Sequence, residues 1–183
     1  MTGPGTLFLV VGPSGSGKDT LMDGARAALA GDPAWVFARR HITRPEQAGG
    51  EPHIAVSEAE FARSATAGAF LVSWQSHGLS YGLPMALRDE LLAGRNVIAN
   101  VSRTVIGALA AALPRVEVIV VTAPVEVRAS RLAGRGRETE ADIAARLRRE
   151  APDPPPGVPT STVLNDADRE TGIARFLACL RAG

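Results

Sequence analysis

Five apolar residues, Leu7-Phe8-Leu9-Val10-Val11, run directly into Gly12-Pro13-Ser14-Gly15-Ser16-Gly17-Lys18-Asp19-Thr20. The apolar run reads as a buried parallel strand, and Leu21 to Leu29 has helical spacing. Strand, glycine-rich loop, Lys and helix together form the phosphate-binding loop pattern. Glycines let backbone N–H groups turn inward around phosphate oxygens. The helix N-terminus adds a partial positive charge, and Lys18 can reach the outer phosphates of a nucleotide. A loop of this kind needs a strand before it and a helix after it, so it commits the chain to an α/β fold.

Of the 20 basic residues, Lys18 is the only lysine. A compact ammonium inside a tight phosphate nest is a task that guanidinium does badly. The residue after such a Lys is usually Ser or Thr, whose hydroxyl meets Mg²⁺. Here it is Asp19, followed by Thr20. Phosphoryl transfer remains the chemistry the loop points to, with ATP as donor. Mg²⁺ has to be held differently, with Asp19 and Thr20 as the candidates.

At 183 residues the chain reads as one domain with a sizeable core. Its net charge of +1 gives no global reason to expect nucleic acid or a membrane surface as partner. No apolar run approaches the about 20 residues of a membrane span, and residues 7–11 are too short for a signal peptide. Cys179 has no second cysteine to pair with, which fits a cytoplasmic protein. His41, His53 and His77 are too widely spaced for a metal cluster. Nothing in the sequence speaks to oligomeric state.

Along the chain, Trp35 to Ile42 reads as one strand ending in a basic cluster, Arg39, Arg40, His41 and Arg44. Residues 45–53 read as a loop. Ser57 and Glu60 form a capping box for a helix that ends at Gly68. Phe70 to Trp74 reads as a strand, and Ser76 to Leu83 as a turn-rich stretch. Pro84 suits the first turn of a helix reaching Leu92. Asn96–Val101 and Val116–Val121 are buried strands, followed by helices from Arg103 to Leu113 and from Pro124 to Leu132. Thr139 to Glu150 reads as a helix, Ser161 to Leu164 as a strand, and Asp168 to Leu180 as the last helix. The alternation predicts a parallel sheet with helices on both faces. The expected core is 1–34, 84–130 and 147–183. An acceptor-binding insertion is expected at about 35–83, over the strand ends where ligands bind, and a lid at about 131–146.

These pieces resemble the guanylate kinase-like branch of the nucleoside monophosphate kinases. The resemblance rests on Gly-Pro-Ser-Gly-Ser-Gly-Lys at 12–18, Ile-Thr-Arg at 42–44, Gly-Glu at 50–51 and Tyr-Gly at 81–82. It continues with Arg-Leu-Ala-Gly-Arg-Gly-Arg-Glu-Thr-Glu at 131–140, Arg146-Leu147 and Leu-Asn-Asp at 164–166. The matches run in order through nearly the whole chain. The departures bear on the acceptor. Val72 stands where guanylate kinases carry the Glu that reads guanine. Gln47 falls near their second phosphate-binding Arg, and His53 and Ser80 replace two Tyr. Asn100 and Ser102 replace an acidic pair. A site without the guanine-reading carboxylate, and with Arg103 added, suits a more highly phosphorylated acceptor without a base.

Within this branch the chain is similar to the ribose 1,5-bisphosphate phosphokinases. The shared pieces are Gly-Lys-Asp at 17–19, Thr-Arg-Pro at 43–45, Ala-Gly-Gly-Glu at 48–51, Ala-Val-Ser at 55–57, Trp74, His77 to Gly82, and Ser102-Arg103. The resemblance implies transfer of the ATP γ-phosphoryl to ribose 1,5-bisphosphate, a step of phosphonate catabolism that yields 5-phosphoribosyl 1-diphosphate. It implies that residues 12–20 hold the phosphates, with Asn165 and Asp166 near adenine. Lys18, Arg131, Arg135 and Arg146 would act on the transferring group. Arg44, His53, His77, Tyr81, Ser102 and Arg103 would hold the acceptor. The alternatives are guanylate kinase activity and a non-catalytic guanylate-kinase-like binding domain.

Overall fold

The computed structural model describes residues 3–46, 51–134, 139–148 and 153–183. Leu7–Val11 forms β1, and all five residues are buried. A strand apolar on both faces belongs in the interior of a covered sheet. The sheet also contains β2 (Trp35–Phe37), β7 (Asn96–Asn100), β8 (Val116–Thr122) and β9 (Thr160–Leu164). The strand order is β2-β7-β1-β8-β9, and the sheet is parallel. The described chain separates into two compact units, with the boundary inside β1. One unit runs to Leu9 and resumes over Gly31–Val116, and the other combines Val10–Ala30 with Glu117–Gly183.

In the first unit β2 pairs with β7 from Trp35↔Asn96 to Phe37↔Ile98. Ala38 N–H extends the ladder to the Ile98 carbonyl at 2.9 Å. The single strand expected over Trp35 to Ile42 is in fact two strands in two sheets. After Ala38 the side chains of Arg39 and Arg40 turn to the 51–53 segment, donating to the His53 carbonyl and the Glu51 carboxylate. His41–Ile42, β3, then joins a four-stranded sheet with β4 (Ile54–Ala55), β5 (Phe70–Ser76) and β6 (Leu79–Pro84), in the order β4-β3-β6-β5.

The stretch expected to be turn-rich, Ser76 to Leu83, is mostly strand. Only His77 (φ 52) and Gly78 (φ 73) turn, and both take positive φ, as a two-residue hairpin loop of the I′ kind requires. Pro84 closes β6 opposite Phe70 instead of starting a helix. The helix α3 begins later, at Leu87, and runs to Leu92. The capping box is present in α2 (Glu58–Thr66). Ser57 Oγ accepts from Glu60 N–H at 3.2 Å, and the Glu60 carboxylate accepts from Ser57 N–H at 2.8 Å. Phe61 of α2 stacks on Phe70 of β5 with ring centroids 4.8 Å apart. After β7, Arg103–Val105 forms one 3₁₀ turn capped by Ser102, and α4 (Ile106–Ala112) follows.

In the second unit β8 and β9 pair in parallel from Val118↔Thr160 to Thr122↔Leu164. Its helices are α1 (Lys18–Ala28), α5 (Val125–Ala133), α6 (Glu140–Arg148) and α7 (Arg169–Ala182). At Gly24 of α1 any side chain would collide with Ile173 of α7, so these helices meet closely there. Asp168 caps α7 by accepting from Thr171 N–H at 2.9 Å. No helix among the described residues is long and apolar enough to cross a membrane.

Candidate active site

The turn from β1 into α1 requires glycine at Gly12 (φ 155) and Gly15 (φ 79). A Cβ at Gly12 would run into the Val121 carbonyl, and one at Gly15 would lie 2.8 Å from the Arg128 carbonyl. The loop's carbonyls, Gly12 to Ser16, are all held by side chains. Lys18 Nζ donates to Gly12 at 2.7 Å and more distantly to Pro13 at 3.4 Å. Arg128 Nε donates to Ser14 at 3.0 Å. Arg131 Nη1 approaches Gly15 at 3.5 Å and Ser16 at 3.3 Å. Asn165 Nδ2 donates to Ser16 at 2.8 Å. With its carbonyls engaged by side chains, the loop has its peptide N–H groups as the donors that a phosphate-binding loop offers to an anion. Ser16 Oγ and Arg128 Nη2 are buried without a hydrogen-bond partner among the described residues.

Arg128 was missed by the sequence reading. It shares the buried stripe of α5 with Leu132, one turn on. A charged residue on an apolar stripe is the signal that marks it. Burial pushes its guanidinium pKa down. Arg131 also belongs to α5, and its Nη2 donates to the Asn165 carbonyl at 3.1 Å. Arg146 lies on α6, and Arg135, with Arg137, lies outside the described residues.

Beside the loop is a cavity of about 330 Å³ lined by Gly15, Gly17, Thr20, Arg131, Asn165 and Arg169, among others. That volume is within the range of small-molecule sites. Asn165 is buried. Asp166 is exposed and paired with Arg175 at 2.8 Å, and this hydrogen bond holds its carboxyl below the usual carboxylate range. Asp19 sits in the first turn of α1, with Thr20 next to it on the cavity wall. Among the described residues no three His, Cys, Asp or Glu side chains cluster as a metal cage. Mg²⁺ needs no such cage, because it keeps waters and substrate phosphates as ligands. One carboxylate and one hydroxyl at a phosphate loop fit it.

The first unit gathers a second set of polar groups. Arg40 Nε donates to Glu51 Oε1 at 2.7 Å, and Asn100 Nδ2 donates to Glu51 Oε2 at 2.6 Å. The Arg40 guanidinium lies over the Tyr81 ring at 5.0 Å and the Trp74 ring at 5.9 Å. Those rings stack on each other with an interplanar angle of 6°. Arg44 is half-buried, and Thr43 of the same segment accepts from Ser80 N–H at 2.9 Å. His53 is buried, with Nε2 3.2 Å from the Arg44 carbonyl and Nδ1 3.1 Å from the Glu51 carbonyl. It thus ties together the two ends of the 44–51 segment. His77 is exposed at the hairpin tip, Ser102 caps the 3₁₀ turn, and Arg103 is the first residue of that turn. Val72 is half-buried on β5, opposite Leu83.

The comparisons with known proteins follow the same lines. No family model matches the chain. It is 56% identical over 183 residues to the bifunctional ribose 1,5-bisphosphokinase-thymidine phosphorylase of Cupriavidus necator, covering all of this chain and 30% of that protein. The chain thus spans under a third of the bifunctional relatives it matches. It is 48% identical over 180 residues to the ribose 1,5-bisphosphate phosphokinase PhnN of Methylobacterium radiotolerans, covering 98% of this chain and 99% of that one. Among solved structures it resembles guanylate kinase from Anaplasma phagocytophilum, with a TM-score of 0.66 at 19% identity over 99% of this chain and 87% of that one. The structural likeness speaks for the fold alone, a guanylate kinase-like α/β phosphate-loop architecture. At 48% identity along a relative's whole length, the chain belongs to the ribose 1,5-bisphosphate phosphokinase family.

Proposed function

We propose that this chain transfers the γ-phosphoryl of ATP to ribose 1,5-bisphosphate, giving 5-phosphoribosyl 1-diphosphate and ADP in the cytoplasm. The observation that carries the reading is the loop over Gly12–Ser16, whose carbonyls are pinned by Lys18, Arg128, Arg131 and Asn165. The names of full-length relatives at 48% identity supply the acceptor. They favour it over guanosine monophosphate and over a non-catalytic binding domain.

In this reading an oxygen of the acceptor's 1-phosphate forms a bond to the γ-phosphorus as the bond to the β–γ bridging oxygen breaks. The acceptor oxygen is already anionic near neutral pH, so no general base is required. Catalysis is positioning and charge neutralisation. The loop amides and Lys18 hold the outer phosphates, and Arg131, Arg135 and Arg146 stabilise the transferring group. Asn165 and Asp166 lie toward adenine. Arg44 and Arg103 hold the acceptor, with His53, His77, Tyr81 and Ser102 around it. Mg²⁺, when bound, neutralises phosphate charge, and Asp19 with Thr20 would hold it. The test is turnover with ATP and Mg²⁺ against a panel of phosphorylated acceptors. Turnover with ribose 1,5-bisphosphate supports the reading, and its absence refutes it.

A further inference from the structure

Arg40 is a half-buried arginine of the first unit's basic cluster. Its side chain is 12% exposed and its partner Glu51 is 15% exposed. Taking such a pair out of water costs several kcal/mol per ion, and their attraction at best roughly offsets this. The pair is therefore a poor device for stability alone. It is, however, a good device for fixing a guanidinium. Nε is held by Glu51, and Glu51 is held in turn by Asn100. The guanidinium lies over Tyr81 and Trp74, which stack on each other. The chain has only one Tyr and two Trp, and the Tyr and one Trp are used here.

The two terminal nitrogens of Arg40 make no hydrogen bond among the described residues. Nor are they among the buried unpaired atoms, so they face accessible space. A guanidinium locked on one edge and open on the other presents a fork matched to a phosphate or carboxylate. The replacement at position 100 makes this possible. An acid there would repel the Glu51 carboxylate, whereas the Asn100 amide donates to it.

We propose that Arg40 is a specificity-determining residue. Its fixed fork binds the acceptor phosphate that does not react, the 5-phosphate, with Glu51 and Asn100 as its positioning residues. An immobile anchor suits the group that stays in place while the other phosphate reacts. The proposal rests on the acceptor being a sugar bisphosphate, and binding can be measured apart from turnover.

The test is titration calorimetry of wild type, Arg40→Ala, Arg40→Lys and Glu51→Gln with ribose 1,5-bisphosphate, ribose 5-phosphate, ribose 1-phosphate and ATP. Arg40→Ala should weaken the bisphosphate and ribose 5-phosphate by about 30-fold, a charged hydrogen-bond loss, and ribose 1-phosphate by under about threefold. ATP binding should stay within about twofold in every variant, which also reports an intact fold. Arg40→Lys keeps the charge but loses the fork and the stack, and Glu51→Gln loosens the fork. Both should show the same acceptor pattern at about fivefold, so the test survives if Arg40→Ala does not fold. Equal weakening of all three sugar phosphates, or of none, overturns the assignment. Wild-type binding of the bisphosphate without turnover would sink the proposed reaction and leave the role of Arg40 standing.

Discussion

The ammonium of Lys18 donates to the carbonyl oxygen of Gly12 at 2.7 Å, from the end of the phosphate loop back to its start. In the proposed reaction this puts the charge at the loop that would receive the outer phosphates. In the transition state it can neutralise charge on the transferring group. Lys18→Ala should therefore lower kcat by more than about tenfold, equivalent to at least about 1.4 kcal/mol of barrier. Steady-state kinetics on a variant with unchanged circular dichroism checks this, and near-wild-type turnover would refute the role of the loop.

Arg128 acts one step further back. Its Nε holds the Ser14 carbonyl while its Nη2 is buried without a partner among the described residues. Arg128→Leu removes both the holding bond and the unpaired nitrogen, so loop order and stability should separate. The KM for ATP should rise about three- to tenfold, part of the worth of one charged hydrogen bond, because Arg128 acts on the nucleotide only through the loop. The melting temperature should not fall, because a buried cation has been replaced by an apolar side chain. An unchanged KM would show that Ser14 needs no such support.

How much of this was legible follows from how local each signal is. The strand, loop and first helix lie within about twenty contiguous residues, and so does the Ser57–Glu60 capping box, so periodicity and spacing were enough. Of the small second sheet, only β5 was legible, as the strand expected over Phe70 to Trp74. β3 and β4 are only two residues each, and β6 carries Ser80 and Gly82, which read as turn residues, and Pro84, which reads as a helix start, until a partner strand is in place. The Arg40–Glu51–Asn100 network was hidden for the same reason, because its partners are 11 and 49 residues apart. The family's motifs placed Arg44 and Arg103 in the reading but gave no sign that Arg40 is fixed.

Asp19 is the proposed carboxylate for Mg²⁺, since the usual hydroxyl position carries it and no acidic cluster exists among the described residues. Asp19→Asn keeps the shape and removes the charge. The Mg²⁺ concentration for half-maximal activity should rise about tenfold or more. The Mg²⁺ dependence of initial rates measures this. An unchanged midpoint would leave Asp19 as a helix N-terminal charge alone.

The acid limb of stability should carry the mark of Asp168. The backbone N–H of Thr171, followed by its hydroxyl, holds this carboxyl below its ordinary pKa. A carboxylate depressed in the folded state stabilises fully above its unfolded pKa of roughly 4, and that share is lost as pH falls through the lower folded value. Wild type should thus lose melting temperature on acidification from about pH 5 to pH 3. Asp168→Asn, which caps without a charge, should show a shallower decline. Parallel pH profiles from differential scanning fluorimetry would contradict the assignment.

Side-by-side kcat/KM values for ribose 1,5-bisphosphate and guanosine monophosphate decide the acceptor. Val72 offers no carboxylate to a guanine edge, while Arg40, Arg44 and Arg103 are the cations proposed to hold the acceptor's phosphates. Buried donors left without a phosphate should further penalise the simpler acceptor. A preference for ribose 1,5-bisphosphate of at least about a hundredfold is expected, with 5-phosphoribosyl 1-diphosphate as the product. Guanosine monophosphate as the better acceptor would contradict it.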